Sequence, residues 1–138
     1  MQRFIIEVFT EGNTDIVNLH GDLAKRLREA KVTGEGLLHL FVVGSTAALT
    51  TIEFEPGLIK HDVPAVLQRL VPDDARYEHE ATWNDDNGHS HVRASLVGPG
   101  LTIPFSNAKL LTGEYQQVVL LDFDTRPRKR TVIATVIV

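Results

Sequence analysis

The chain has 138 residues, 43% hydrophobic and 23% charged, with a formal net charge of −4 and no cysteine. That length suits one domain with a real core. The acidic balance argues against a general nucleic-acid binder, and the missing thiols exclude disulfides, thiolate metal sites and a cysteine nucleophile. No apolar run approaches the roughly 20 residues that span a bilayer, and Glu7 interrupts the N-terminal stretch before an export signal could form, so a cytoplasmic protein with no membrane partner is expected.

Phe4 to Thr10 is β-branched and aromatic and reads as a strand, turned by Glu11-Gly12-Asn13. Asp15 to Leu19 alternates polar with apolar residues and is expected to pair back on it as a hairpin. From Gly21 to Lys31 the residues Leu23, Ala24, Leu27 and Ala30 recur at helical spacing. Leu37 to Val43 is almost continuously apolar, as in a central strand covered on both faces, with His39 expected as a satisfied core residue. Ala47 to Phe54 is a further strand. Asp62-Val63-Pro64 looks like a helix start with Asp62 as N-cap, and Pro72 closes that helix.

Residues 73 to 88 are polar and acidic around a lone Trp83, and a connection of that length suits a lid or binding loop. Val92 to Gly98 reads as a strand or a helical turn. Leu101 to Phe105, Tyr115 to Phe123 and Thr131 to Val138 read as strands. The last is apolar on both faces, so it must lie centrally in a sheet or be covered by a second subunit. That requirement leads us to expect an oligomer.

Five clusters could carry chemistry. In Asn87-Gly88-His89-Ser90-His91 the two imidazoles would share a face if the segment is extended, and could converge on a metal ion, an anion or a substrate. If the segment is helical, they would sit near its N-terminus, where free amides favour anions. Gly44-Ser45-Thr46 places two hydroxyls at a strand end, suited to a phosphate. Glu53 and Glu55 are a carboxylate pair able to supply a general base or a ligand. Of Gln116 and Gln117, one is expected to point inward and either join a network or touch substrate. Asp122-Phe123-Asp124 followed by Arg126 to Arg130 reads as a solvated hairpin with local ion pairs, or as the source of an arginine for an anionic ligand.

These clusters, in this order, resemble the YjbQ family across nearly the whole chain. The matching elements are Ser45-Thr46-Ala47-Ala48-Leu49, Glu53 with Glu55, Asp62 to Pro72 and Asn87 to His91. They continue through Leu96 with Gly98, Gly113 to Gln116, and Asp122 to Arg128. The resemblance implies a single-domain α+β fold, with mixed or antiparallel β-sheets flanked by a few helices, assembled as a homotrimer. It also implies a secondary thiamine-phosphate synthase activity, joining a pyrimidine diphosphate to a thiazole phosphate. His89, His91 and Glu53 would then be catalytic, while Ser45, Thr46, Gln116 and Arg126 hold the anionic substrate. His89 and His91 would also be the ligands of a divalent metal, zinc or magnesium. Many members carry a histidine directly before the Ser/Thr-Thr pair, where this chain has Gly44. His61 or His79 could stand in for that ring. The competing expectations are a non-catalytic metal- or phosphometabolite-binding module, and a histidine pair serving only as a polar trimer contact.

Overall fold

The computed structural model describes residues 1–138. Its strands are β1 (Gln2–Thr10), β2 (Asp15–Asn18), β3 (Glu35–Val43), β4 (Ala47–Glu53), β5 (Gly100–Ser106), β6 (Lys109–Leu110), β7 (Gln116–Asp122) and β8 (Arg128–Ile137). Its helices are α1 (His20–Glu29), α2 (Val63–Leu70), α3 (Glu78–Trp83) and α4 (Gly88–Val97). Every strand pair is antiparallel, and the strands form a five-stranded sheet, β1-β8-β3-β5-β6, and a three-stranded sheet, β2-β7-β4. The expected α+β class holds.

The two sheets face each other across the main core. Val8, Leu38, Leu40, Val132 and Ala134 of the larger sheet meet Leu49, Val118 and Leu120 of the smaller one, and Leu23 and Leu27 of α1 close the same cluster. The far face of the small sheet builds a second core: Ala48, Val119 and Leu121 pack with Phe123, Leu67 of α2 and Ala94 of α4. The small sheet is therefore covered on both faces, which is why Val118-Val119-Leu120-Leu121 is apolar without alternation.

Several expectations change here. β2 does not return on β1 as a hairpin; it pairs with β7 in the other sheet. The cause is the connection, where Gly12, Asn13 and Thr14 take positive φ values of 81°, 55° and 65° and swing the chain across. Only glycine fits at the first of these, because a Cβ there would stand 2.6 Å from the Asp124 carbonyl oxygen. β3 is central in its sheet, but only one of its faces is covered. Leu37, Phe41 and Val43 are exposed, and His39 sits on that open face with its Nδ1 2.9 Å from the Thr102 hydroxyl rather than in the core. β8 is likewise central, between β1 and β3, yet its outward Ile137 joins Ile5 and Phe9 of β1 on the same uncovered apolar face. Asp62 makes no capping bond. A π-helical turn over Leu58–Asp62 already runs into α2, and the Glu55 carboxylate accepts hydrogen bonds from the amides of Gly57 and Leu58 at its start. No helix is long and apolar enough to cross a membrane.

Leu120 lies fully buried between the sheets. Leu120→Ala should lower the unfolding free energy by about 2–5 kcal/mol in urea titration, while Leu111→Ala on the surface should move it by no more than about 0.5 kcal/mol.

Candidate functional site

The site is organised by a buried ionic network where β1, β4, β7 and β8 end. Asp122 is fully buried at the end of β7, and Arg130 on β8 is 8% exposed. Arg130 Nε donates to Asp122 Oδ2 at 2.6 Å and Nη2 to Oδ1 at 2.8 Å, a two-pronged pair that fixes the guanidinium plane. Arg130 Nη2 also donates to the Thr46 hydroxyl at 2.6 Å, and the Thr10 hydroxyl donates to Asp122 at 2.5 Å. Thr46 passes its own proton to Asp124 at 3.1 Å, where Arg128 Nε arrives at 2.9 Å and Asn87 Nδ2 at 3.3 Å. Burial pushes the Asp124 carboxyl up, but the Thr125 amide, Asn87 and Arg128 outweigh it and hold the group below its ordinary range. The expected ion pairs are present, but Asp122, Asp124 and Arg130 are buried rather than solvated, while Arg126 and Lys129 stay outside the network at the surface. Arg126 lies 3.5 Å from Asp85 and 3.6 Å from Asp86.

This network pins the start of α4 to the β7–β8 connection. Asn87 precedes the helix, and the Ser90 hydroxyl donates to the Phe123 carbonyl. Gly88 is required because a Cβ would stand 2.6 Å from both Glu80 Oε1 and Tyr77 Cβ. Its amide donates to Glu80 at 2.6 Å, while the Ser90 and His91 amides donate to the Asn87 carbonyl at 3.0 and 3.3 Å. Three of the first-turn amides of α4, those of Gly88, Ser90 and His91, are therefore engaged within the protein, and the expected cradle of free helix-end amides is not formed. Asn87 Oδ1 is left as the one buried side-chain polar atom without a hydrogen-bond partner.

Because Gly88–Val97 is helical, the strand geometry that would align His89 with His91 is lost; residues two apart on a helix diverge by about 200°. His89 turns inward, 5% exposed, with its ring 6.2 Å from that of Tyr77. Burial first, and then the charge of Arg93, hold it below the ordinary histidine value. Arg93 is itself buried, donating to the Val71 carbonyl, Gln68 and Thr14. His91 turns the other way. Its ring lies 4.7 Å from that of His79 on α3, tilted by 45° to it; the sequence suggested His79 only as a stand-in for the family histidine. His61, the other candidate, is exposed and paired with Asp62 at 2.8 Å.

His91 shares a cavity of about 240 Å³ with Gly44, Ser45, Ser95 and Pro99. Neither the Ser45 hydroxyl nor the His91 ring makes a hydrogen bond within the protein. The Thr46 hydroxyl is consumed by the network beneath.

Glu53 and Gln116 do not join this site within the protomer. They pair across β4 and β7 at the far end of the small sheet, seven residues along the strand from Thr46 and so roughly 20 Å away. Gln116 bridges Thr51 Oγ1 at 2.9 Å and the Gly113 amide at 3.0 Å, and Gln117 Oε1 accepts from Asn18 at 3.3 Å. Neither glutamine points inward, because burial along β7 begins at Val118. No cluster of three or more His, Asp or Glu side chains is arranged to hold a metal ion. Sequence reading expected local ion pairs among Asp122, Asp124 and Arg130 but not their burial. The signal was present in the sharp Asp-x-Asp ending of an otherwise apolar strand.

Residues 5–138 match the family described as UPF0047 protein YjbQ-like. A UPF0047 protein YjbQ from Escherichia coli O157:H7 is 31% identical over 114 residues, 83% of this chain and 82% of that protein. A UPF0047 protein from Archaeoglobus fulgidus is 31% identical over 112 residues, 81% and 86% of the two chains. Among solved structures, a hypothetical protein from Aeropyrum pernix K1 superposes with a TM-score of 0.89 at 26% identity, over 99% of this chain and 98% of that one. An uncharacterized conserved protein from Clostridium acetobutylicum gives 0.86 at 27% identity, over 97% and 99%.

The buried, neutral His89 gives the fold a pH dependence. A ring that is harder to protonate folded than unfolded lets the unfolded chain bind more protons, so stability falls as pH drops below about 6.5 until the buried ring itself protonates. Asp124 has the same sign lower down, its stabilisation being lost as pH falls below about 3.9 and through its folded value. The melting temperature should therefore hold from pH 8 to 7 and decline below 6.5, and His89→Gln should flatten that first decline. His20, which burial also holds below its ordinary value, adds to the same decline.

Proposed function

This chain belongs to the UPF0047 YjbQ-like family, and we propose that it binds a phosphorylated small molecule in the cavity that His91 shares with Gly44 and Ser45. The observation carrying this reading is the meeting of an unengaged imidazole and an unengaged hydroxyl in one depression, fixed in place by the ionic network behind Thr46. A phosphoryl oxygen accepts from both groups, and glycine at the corner lets it approach the main chain.

The reaction we propose is the one that the resemblance implies. A carbon–nitrogen bond forms between the pyrimidine methylene and the thiazole nitrogen as the carbon–oxygen bond to the diphosphate breaks, releasing pyrophosphate. No proton need be abstracted, so the remoteness of Glu53 does not obstruct it. His91 and Ser45 would donate hydrogen bonds to the departing pyrophosphate, and His89 would support the helix that presents His91. A divalent ion, zinc or magnesium, does not find a complete set of ligands here. His79 and His91 are the two adjacent imidazoles, and no step of the proposal runs through a metal.

A non-catalytic phosphometabolite-binding role is the second reading. It is favoured by the cavity's size, about 240 Å³, which holds one phosphorylated group more readily than two substrates. Association bears on the same question. We propose that the open apolar face of the large sheet is covered by other copies in a homotrimer. Exposed Val43 of that face directly precedes Gly44, so a neighbouring copy would close the rim of the cavity.

His91→Ala should abolish calorimetric binding of thiazole phosphate and pyrophosphate, and any thiamine phosphate formed from the two half-molecules, with the circular dichroism spectrum unchanged. Binding without product in the wild type would select the second reading, and undiminished binding in the variant would remove both. Light scattering on the wild-type chain should give three times the chain mass, reduced to a single chain by Phe41→Glu; a monomeric wild type would refute the assembly.

A further inference from the structure

Arg130 is only half committed. Its Nε and one terminal nitrogen, Nη2, are locked onto Asp122 and Thr46, as described above. The other terminal nitrogen, Nη1, makes no hydrogen bond. A guanidinium carries five N–H donors in one plane, and two of them sit on Nη1. These donors are not sealed in apolar surroundings, since the one buried side-chain polar atom lacking a partner is Asn87 Oδ1. The Nη1 edge therefore opens outward.

What it opens onto is Gly44. A Cβ built at that residue would stand 2.8 Å from Arg130 Nη1 and 3.9 Å from Cζ, and would meet nothing else within 4 Å. The residue adopts φ +126°, a conformation that side-chain-bearing residues rarely take. Any side chain here would lie across the guanidinium edge, whereas glycine leaves a window. Gly44 is also part of the wall of the His91 cavity.

We propose that Arg130 binds the anion through this window. Nη1 donates to an oxygen of the phosphoryl group that Ser45 and His91 hold from the other side. The inference rests on the anion-binding reading above and deepens it by naming the permanent positive charge of the site. It also accounts for a site where the Gly88, Ser90 and His91 amides are engaged elsewhere. Asp122 and Asp124 balance Arg130 and Arg128 in number, so the network stays folded without ligand, and the free Nη1 edge supplies directed donors rather than surplus charge.

The test uses inorganic pyrophosphate as probe on the wild-type chain, His91→Ala and Arg130→Lys. A lysine keeps a positive charge facing Asp122 but has no second edge to present at Gly44. Arg130→Lys should weaken calorimetric binding about tenfold or more, the loss of one charge-assisted contact. Should that variant fail to fold, the wild type decides: pyrophosphate should shift the Arg130 guanidinium nitrogen resonances in NMR and leave those of buried Arg93 in place. If pyrophosphate binds in a His91-dependent way while the Arg130 resonances stay fixed, or Arg130→Lys keeps wild-type affinity, the role of Arg130 is refuted and the anion cavity stands. If the wild type binds no pyrophosphate, the anion cavity fails and this inference with it.

Discussion

The Asp122–Arg130 pair is the contact on which the arrangement of the rest depends. It joins the end of β7 in one sheet to β8 in the other and, with the Thr10–Asp122 hydrogen bond, gives a polar link between two sheets whose shared core is apolar. Burying two charges carries a desolvation cost of several kcal/mol per ion, offset here by two-pronged geometry and by hydroxyls from Thr10 and Thr46. Such pairs are modest contributors to net stability, but removing one partner costs about 3–5 kcal/mol because the other charge is stranded. The pair is better understood as a device for position. It sets where β1, β4, β7 and β8 converge, and therefore where Gly44, Ser45 and the first turn of α4 come together.

From that fixed point the local chemistry follows by helical geometry. Asn87 is tied to Asp124 and Ser90 to the Phe123 carbonyl, so the rotation of α4 about its axis is determined. His89 must then face inward and His91 outward. One imidazole is neutralised by burial and becomes part of the packing, while the other keeps both nitrogens available beside Ser45. A sequence motif that looks like a matched pair thus divides into a buried member and one that lines the cavity.

Much of this was legible in the sequence. The apolar spacing of Leu23 and Leu27 marks α1, and the eight strands include every β-branched run the sequence displays. The neighbourhood of the histidines and Ser45 was also accessible, through the order of the motifs. Three things were hidden. Strand partners depend on how a connection bends, and the positive φ values from Gly12 to Thr14 that send β2 to the other sheet leave little trace beyond one glycine. Burial of Asp122 and Arg130 is set by tertiary packing, so a run of alternating charge between strands looked like a solvated turn. The separation of Glu53 and Gln116 from the histidines depends on direction along a strand. Sequence order shows that both lie on neighbouring segments, but not that they occupy the end opposite Thr46.

The pairing of β1 with β8 has a consequence for how the molecule is made. Gln2 lies opposite Val136, so β1 is synthesised well before its partner β8 can satisfy its hydrogen-bonding edge. Contacts of such long range slow folding, and an unpartnered β-strand is an aggregation hazard throughout the delay. Arg3 and Glu7, alternating with Ile5 along β1, act as charged gatekeepers during that interval. In the finished fold Glu7 turns to a second task, pairing with Lys129 of β8 at 3.0 Å.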